Sequence, residues 1–500
     1  MPFNTKETMK YRLEDVYRTE GVPEFTFVRP PNFGELLVDI RNPGKPVIIE
    51  GQSGTGKTTT VKKIIEESLS AEGFEYLSAR KARDVPRILE LASGNAAGKF
   101  IVDDFHRLDT TIQANIADIV KIAAEEYGDA NHPKVVLIGI NKVGSELIHL
   151  VPDIAKRCGI HRIQPASFET TVELLKKGEA KLNITFGDHR AVFNETQGDY
   201  WLTQLISQTV CLIENVTETQ DVSRVLGFTE INVRRRAIQK LDHSYQETIK
   251  DFCRGKRFRS TNDPYLKLLR CVGEQDSSIV DLTELANSNE EVRGSINNIK
   301  EKRLSILIDS KPNCDRHFYY NPETKLFAIE DPALFYYLKH LDWDEIRKAC
   351  GFRAGQKDFS FDFAISFAGE NRDLARALAV QLELCDASVF FDEFFEANYL
   401  GKAWHSNFAQ VFGEQSRFVV CLLDKYHVEK IWPTFERECF TPRVAEAAVI
   451  PIFLDGTPVI GIPKDIAGID FKGYQAFGVE LANRITDEIV FKLIARLEGV

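Results

Sequence analysis

One eight-residue segment constrains the fold of this chain more than any other. Residues 51–58 read Gly-Gln-Ser-Gly-Thr-Gly-Lys-Thr, the complete pattern of a phosphate-binding loop. The apolar run Pro46–Glu50 precedes the loop, and the helix-like run Thr58–Glu67 follows it. In this order of strand, loop and helix, backbone N–H groups and the positive helix N-terminus surround phosphate oxygens. The sequence therefore predicts a nucleoside triphosphate site.

The nucleotide ligands are expected at two strand ends. Lys57 should reach the β- and γ-phosphates, and the Thr58 hydroxyl is placed to ligate Mg²⁺. The run Phe100–Asp104 ends in two carboxylates, at the edge where open parallel sheets hold ligands. We expect Asp103 to share Mg²⁺ with Thr58 and Asp104 to orient the attacking water. The loop residues expected to bind nucleotide are Gly51, Ser53, Gly54, Thr55, Gly56, Lys57 and Thr58.

Composition narrows the class of protein. The chain has 500 residues, 43% hydrophobic and 27% charged, which is enough for about three or four domains with cores. No apolar run approaches membrane-spanning length and Met1–Arg12 lacks a signal-peptide core, so we expect a cytoplasmic protein without a membrane partner. The 9 cysteines lack paired spacing, which indicates reduced thiols. The net charge of −11 disfavours binding of nucleic acid by the whole protein.

The first half of the chain resembles AAA+ and STAND-type ATPases over about residues 20–255. Strand-like and helix-like segments alternate after the loop, as in a parallel sheet covered by helices. The resemblance rests on the phosphate loop, on Asp103 and Asp104, on Asn141 after the next strand, and on the segment Asp153–Arg157. It implies that ATP and Mg²⁺ bind here, with Asn141 as a further ATP ligand.

The same resemblance implies contacts between subunits. In that family an arginine before the fifth strand reaches the nucleotide of a neighbouring subunit, so Arg157 is expected to bind ATP in a homo-oligomer. Arg162 competes for this role, and a surface cation at a helix end is the plain alternative for Arg157. The segment Gly21–Val28 lies where related ATPases hold adenine. The helical lid expected over Ser167–Val216 has no evident second sensor arginine, which departs from the family pattern associated with ATP hydrolysis.

The middle of the chain resembles a winged helix. A basic linker, Arg254–Ser260, leads to Asp263-Pro264, where proline suits a first helical turn. We expect three helices and then three strands, over Tyr265–Gly273, Asp281–Ala286, Glu290–Arg303, Ser305–Asp309, His317–Tyr320 and Lys325–Ile329.

Two roles are open for this winged helix. The basic side chains of its third helix could meet DNA phosphates, the residues being Arg293, Lys300, Lys302 and Arg303. Glu290, Glu291 and Glu301 lie on the same helix, however, and winged helices of STAND-type ATPases commonly brace neighbouring domains. We therefore favour the brace.

The last third of the chain predicts a second doubly wound domain. The apolar strand 361–368 is followed by a helix opened at Gly369–Asp373, and further strands are expected over Ser388–Asp392, Arg417–Leu423 and Ala448–Leu454. The region resembles a TIR domain over about residues 359–498. The segments that carry this resemblance are Ile365–Glu370, Val389–Asp392, Leu400–Trp404, Ser416–Val420, Tyr426 before Trp432, and Ile450–Ile452.

TIR domains divide into enzymes that cleave NAD⁺ and scaffolds that bind other TIR domains. A glutamate four residues after a tryptophan separates the two, and Trp432 and Glu436 have that spacing, whereas Glu438 does not. Nicotinamide leaves as a neutral molecule, so one carboxylate that stabilises the oxocarbenium-like transition state suffices. The plain alternative is an acidic residue in a first helical turn. The expected NAD-binding residues are Phe367, Ala368, Trp404 and Trp432.

Together these features predict an α/β multidomain chain. It should contain a P-loop ATPase core (1–166), a helical lid (167–255), a winged-helix-like domain (256–350) and a flavodoxin-like TIR domain (351–500). The resemblance implies an ATP-regulated protein of defence against invaders such as phage. We expect it to hydrolyse NAD⁺ when it oligomerises through its ATPase and TIR domains. Its trigger, a protein or a nucleic acid, is not evident. The alternatives are a non-catalytic TIR scaffold and an ATP-dependent nucleic-acid-binding regulator.

Overall fold

The N-terminal part of the protein is built on a five-stranded parallel sheet. The computed structural model describes residues 10–126, 132–140, 157–258, 263–301, 303–352, 359–392, 408–459, 466–471 and 479–498. The strands are β1 (Val47–Glu50), β2 (Phe74–Ser78), β3 (Lys99–Asp103), β4 (Lys134–Gly139) and β5 (Gly159–Arg162), in the order β2-β3-β4-β1-β5. The helices are α1 (Leu13–Val16), α2 (Phe33–Arg41), α3 (Lys57–Ser68), α4 (Val85–Ala92) and α5 (Thr110–Glu125).

The register of this sheet places the phosphate loop and the two aspartates at one edge. Strand β4 lies between β1 and β3, and its Leu137 pairs with Ile48 on one side and Val102 on the other. The carboxyl ends of β1 and β3 therefore lie at the same level. Strands β1 and β4 are buried along their whole length because helices cover both faces of a parallel sheet.

A helical region follows, with a winged-helix-like region after it. The first contains α6 (Phe168–Leu182), α7 (His189–Thr196), α8 (Tyr200–Ile213) and α9 (Glu230–Cys253), with a two-stranded parallel sheet of β6 (Ile184–Phe186) and β7 (Arg224–Leu226). The second contains α10 (Pro264–Gly273), α11 (Leu282–Ser288), α12 (Glu290–Ile299), α13 (Arg303–Ser310), α14 (Pro312–His317), α15 (Pro332–Lys339) and α16 (Trp343–Cys350). Its antiparallel sheet has the order β8 (Ile279–Asp281), β10 (Leu326–Ile329), β9 (Phe318–Asn321).

One predicted strand of the winged helix was wrong. Residues Ser305–Asp309 belong to helix α13, whose buried Leu304, Leu307 and Ile308 recur with the three- and four-residue spacing of a helix. The apolar run is short, and periodicity does not separate a short buried strand from a short buried helix. The first strand of the sheet is instead β8, which precedes the second helix.

The lid and the winged-helix region share one hydrophobic core. A single cluster of buried side chains runs from Leu13 through the lid to Phe352, and it includes Phe252 of the lid packed against Phe318 and Phe327 of the wing, with ring centroids 4.5 and 5.8 Å away. These two regions therefore pack as one body, and the division at residue 255 stays a prediction from sequence.

The C-terminal part is a second parallel sheet. Its strands are β11 (Phe361–Ser366), β12 (Val389–Phe390), β13 (Ser416–Leu423), β14 (Val449–Phe453) and β15 (Ile469–Asp470), in the order β12-β11-β13-β14-β15. The helices are α17 (Arg372–Leu384), α18 (Lys425–Glu429), α19 (Ile431–Phe440) and α20 (Val479–Glu498). The strand order reverses between β11 and β13, where doubly wound sheets place their ligand sites.

A buried ion pair joins this C-terminal sheet to the winged helix. Asp386, in the turn between α17 and β12, accepts a hydrogen bond of 2.9 Å from Arg303 Nε, and both side chains are at most 5% exposed. Tyr265 Oη donates to the same carboxylate at 2.7 Å, and the backbone N–H of Arg257 donates to its other oxygen at 3.3 Å. We call these four residues the Asp386 clamp.

No helix in the described ranges is both long and apolar enough to cross a bilayer.

Candidate functional site

A cavity of about 320 Å³ opens at the carboxyl edge of the N-terminal sheet. The phosphate loop forms its floor, β3 and β4 contribute Asp103, Asp104 and Gly139, and the winged helix contributes Glu330. Its size is that of a small-molecule pocket. Four chain regions that are distant in sequence thus meet at one site.

The phosphate loop has the backbone that its glycines allow. Gly54 and Gly56 have φ angles of 81° and 83°, a left-handed conformation that side chains disfavour. Lys57 Nζ donates to the carbonyl oxygens of Gly51 at 2.8 Å and Gln52 at 2.7 Å. Burial lowers the pKa of Lys57 to about 8, against the favourable charge of nearby carboxylates. Phosphate oxygens in this loop would favour its charged form.

Thr58, in the first turn of α3, and Asp103, the last residue of β3, lie together as expected from the sequence. The Thr58 hydroxyl donates to Asp103 Oδ2 at 2.7 Å, and the Tyr76 hydroxyl donates to the same oxygen. A hydroxyl and a carboxylate so close are the hard oxygen donors that Mg²⁺ takes beside nucleotide phosphates. The two residues therefore fit a Mg²⁺ site.

Asp104 follows the strand end in an unusual backbone conformation. Its φ of 59° is left-handed, and Ser78 Oγ donates to its Oδ2 at 3.0 Å. Arg80 Nε lies 2.9 Å from Asp104 Oδ1. Asp104 lines the cavity, which suits the predicted role of orienting the attacking water. In this structure its carboxylate is paired with Arg80.

Glu330 is a residue that the winged-helix-like region contributes to the cavity. Its side chain is 1% exposed and pairs with Arg80 Nη2 at 2.7 Å. His106 Nε2 at 2.6 Å and Arg107 Nε at 2.9 Å contact the same carboxylate. Burial opposes ionisation of Glu330, yet these partners outweigh it and hold its pKa at about 2. The Ser53 hydroxyl of the phosphate loop donates to the Glu330 carbonyl oxygen.

The other end of the cavity lies between the N-terminal segment and the lid. Phe27 and Val28, from the segment expected to hold adenine, line it together with Trp201 and Gln204 of the lid. Gln204 Nε2 donates to Thr26 Oγ1 at 2.8 Å. Among the cavity-lining residues in the described ranges, the lid supplies aliphatic, aromatic and amide side chains and no arginine.

The two predicted arginines differ in their partners. Arg157 pairs with Glu125 at the end of α5, and Arg162 Nε lies 2.7 Å from Glu50 Oε1. Neither lines the cavity of its own chain. Contact with a neighbouring subunit's nucleotide stays a prediction, and Asn141 lies outside the described residues.

A second candidate site lies at the carboxyl end of β11. Ser366, the last residue of that strand, donates to Glu436 Oε2 at 2.6 Å. His427 Nε2 lies 3.0 Å from the same hydroxyl oxygen. Burial raises the pKa of Glu436 to about 8, and the charge of Asp392 adds to this effect against the Ser366 hydrogen bond. Glu436 is 8% exposed, whereas Glu438 is exposed to solvent.

The structure describes the side chains of two of the four predicted NAD-binding residues, Phe367 and Ala368. Phe367 packs on Phe391, with ring centroids 5.4 Å apart, and the Arg372 guanidinium lies 5.4 Å from the Phe367 ring centroid. Ala368 is fully buried, so it offers a ligand no side-chain surface in this conformation. Trp404 and the side chain of Trp432 lie outside the described residues.

Comparison with known proteins identifies the C-terminal region as a TIR domain. The TIR domain family model matches residues 363–484. The 3′ cyclic ADP-D-ribose synthase AaTIR of Aquimarina amphilecti is 28% identical over 145 residues. This match covers 28% of the chain and 41% of the relative, so the chain spans less than half of the relative's length.

Several solved ATPase structures are similar to the N-terminal two thirds. A Walker-type ATPase of Pyrococcus abyssi is 13% identical, with a TM-score of 0.38, over 65% of this chain and 99% of that one. The Aeropyrum pernix ORC1 protein, solved with DNA, is 13% identical, with a TM-score of 0.36, over 68% of this chain and 99% of that one. The Thermotoga maritima RuvB branch migration motor is 13% identical, with a TM-score of 0.33, over 66% and 100%.

Sequence reasoning missed several residues around the phosphate loop. Arg80 and Glu330 belong to no motif, and only the contact between distant segments reveals them. Asp199, whose pKa burial raises to about 7, packs against Gly54 and caps α8 by accepting from the Leu202 N–H at 2.7 Å. Its place before an apolar helical run is a capping signal, which does not by itself indicate a nucleotide site.

Proposed function

We propose that this protein is an ATP-regulated enzyme whose TIR domain hydrolyses NAD⁺ to nicotinamide and an ADP-ribose product. The observation that carries the proposal is the position of Glu436. It lies at the carboxyl end of β11, next to the point where the strand order reverses, and it accepts a hydrogen bond from Ser366. The similarity to a 3′ cyclic ADP-D-ribose synthase supports the same reaction class.

The proposed chemistry needs one ionised carboxylate. The bond between ribose and pyridinium breaks, and the electron pair leaves with neutral nicotinamide, so no acid has to protonate the leaving group. The ribose then carries oxocarbenium-like positive charge, which the Glu436 carboxylate stabilises. Water then attacks the ribose carbon and loses a proton, which completes hydrolysis. Attack by another hydroxyl of the same ADP-ribosyl group, again with loss of its proton, would give a cyclic ADP-ribose instead.

The proposed regulation runs through the winged helix. Glu330 pairs with Arg80 beside the phosphate loop, and Arg303 of the same region holds the TIR domain through the Asp386 clamp. A γ-phosphate bound with Mg²⁺ at Thr58 and Asp103 would compete with Glu330 for Arg80 and repel its carboxylate. ATP binding would thereby loosen the winged helix and free the TIR domain to assemble.

Assembly and trigger complete the proposal. The active oligomer would form through the ATPase and TIR domains, with Arg157 at the nucleotide of the neighbouring subunit. A foreign protein or nucleic acid would trigger it in defence against an invader such as phage. The burial of Glu436 favours the second candidate, a TIR scaffold without catalysis, unless assembly exposes that carboxylate.

The contacts of the basic residues count against a nucleic-acid regulator. Arg293 Nε and Nη2 donate to the carbonyl oxygens of Ala286 and Asn287, each at 3.1 Å. Arg303 is buried against Asp386. Two of the four basic residues expected to meet phosphates are thus engaged within the protein, and Lys302 lies outside the described residues.

The test is nicotinamide release by the purified chain, followed by chromatography with ATP and Mg²⁺ present, with and without lysate of infected cells. We expect Glu436→Gln to lower release by at least about two orders of magnitude, the scale of losing one electrostatic stabiliser. The matched control is Glu438→Gln, which changes an exposed glutamate of the same helix and should leave the rate unchanged. Parental rates in Glu436→Gln, or no release by an assembled parent, would favour the scaffold.

A further inference from the structure

A buried histidine next to Glu436 has no part in the proposed chemistry. The His427 side chain is fully buried, and its Nε2 lies 3.0 Å from Ser366 Oγ. Its Nδ1 is buried without a hydrogen-bond partner among the residues that the structure describes. Asp424 caps the short helix α18 by accepting from the His427 N–H at 2.9 Å, and Asn371 Nδ2 donates to Asp424 at 2.8 Å. Asp424 therefore holds the backbone of His427, and Asn371 in turn holds Asp424.

Counting the available hydrogens shows which group donates in each of the two hydrogen bonds that link His427, Ser366 and Glu436. The Ser366 hydroxyl has one hydrogen. When it donates to Glu436, Nε2–H of His427 must donate to Ser366 Oγ, and Nδ1 is a bare acceptor. In the opposite direction Nδ1 would carry a hydrogen and become a buried donor without a partner. Orphaned buried N–H groups are rarer than under-satisfied acceptors, so the first direction is favoured.

We propose that His427 is a positioning residue that acts through Ser366 to hold Glu436 as the ionised carboxylate needed for NAD⁺ cleavage. This inference rests on the proposed function of the TIR domain. Its substance is the hydrogen-bonded order His427 to Ser366 to Glu436. His427 itself contacts neither substrate nor the reacting atoms.

The Ser366 hydroxyl is the group that favours the ionised form of Glu436. Burial and Asp392 both raise the pKa of Glu436, and the hydrogen bond from Ser366 lowers it. Burial, with help from the Arg437 charge, lowers the pKa of His427 to about 4, so the imidazole stays neutral at physiological pH. The other titratable groups around the site are Cys421 on β13, Cys439 on α19, Asp424 before α18, and Arg372, which pairs with Asp392.

The test compares two substitutions of His427. His427→Gln keeps an N–H donor near the position of Nε2, whereas His427→Leu removes it at similar volume, and Ser366→Ala removes the intermediate hydroxyl. For the parent we expect kcat/KM to rise with pH through about 8, because that is the pKa of Glu436 in the free protein. In Ser366→Ala and His427→Leu the profile should move up by about one pH unit, the scale of one charge-assisted hydrogen bond, and His427→Gln should retain the parental profile.

An infrared titration of the free protein keeps the inference testable without activity. The carboxyl C=O band that Glu436→Gln removes should titrate about one pH unit higher in His427→Leu than in the parent and in His427→Gln. Equal midpoints in the Leu and Gln variants, with both proteins folded by thermal melting, would overturn the inference. A parent without nicotinamide release but with the expected band shifts would instead refute the proposed function and leave the hydrogen-bond order standing.

Discussion

Asp386→Asn should loosen the TIR domain from the winged helix. Asparagine tolerates the left-handed φ of 62° at this position, so the turn itself should survive. The substitution removes the charge that Arg303 faces. Water cannot replace this charge because both side chains are almost fully buried, with 3% of Arg303 and 5% of Asp386 exposed. Removing one partner of a buried ion pair costs about 3–5 kcal/mol because the other charge stays buried and uncompensated. At 1.4 kcal/mol per tenfold change, the docked state should weaken by a factor of about one hundred to a few thousand.

Hydrogen exchange measures this loss directly. Amides of the turn around Asp386 and of helix α10 around Tyr265 should exchange faster in Asp386→Asn, while amides of the central strand β13 should not change. The control is the double variant Asp386→Asn with Arg303→Met, which removes the stranded charge and should recover part of the protection. Unchanged exchange in Asp386→Asn would refute the clamp as a determinant of docking. So would a double variant whose loss of protection equals the sum of the losses in Asp386→Asn and in Arg303→Met.

Three further predictions concern the ATPase and the winged helix. Lys57→Ala should abolish ATP binding, measured by calorimetry, in a protein of unchanged melting behaviour, because the ammonium that neutralises the β- and γ-phosphates is lost; normal affinity would refute the site. Asp104→Asn should retain ATP binding and slow any hydrolysis, and undiminished phosphate release would show that Asp104 does not position water. The whole protein should bind duplex DNA weakly or not at all, since Arg293 and Arg303 are engaged internally; nanomolar affinity that falls steeply with salt would contradict the brace.

Local patterns predicted the parts of the fold that depend on local chemistry. The phosphate loop and the apolar strands before and after it form within a short stretch of chain, so spacing alone located Lys57 and Thr58. Asp103 was predictable because a polar residue that ends a buried strand must lie at the ligand edge of a parallel sheet. Ser366 lay inside the predicted strand 361–368, which in the structure ends at that residue, and the sequence assigned it no role.

The features that sequence did not predict arise from contacts between distant segments. Ser53 and the Glu330 carbonyl oxygen are 277 residues apart in sequence, and no local pattern indicates that they meet. The clamp joins Arg303 to Asp386 across 83 residues, and each residue alone reads as a surface charge. The helix α13 was taken for a strand because its apolar run is too short to show a period.

Dependence of NAD⁺ cleavage on the nucleotide tests the central claim, that one chain couples an ATP site to a TIR active site. Nicotinamide release should be measured on the same preparation of the parent chain with ADP and with a non-hydrolysable ATP analogue, each with Mg²⁺. We expect faster release with the ATP analogue, loss of that difference in Lys57→Ala, and release at least about two orders of magnitude lower in Glu436→Gln. Equal rates with the two nucleotides in the parent, or a difference that persists in Lys57→Ala, would contradict the coupling.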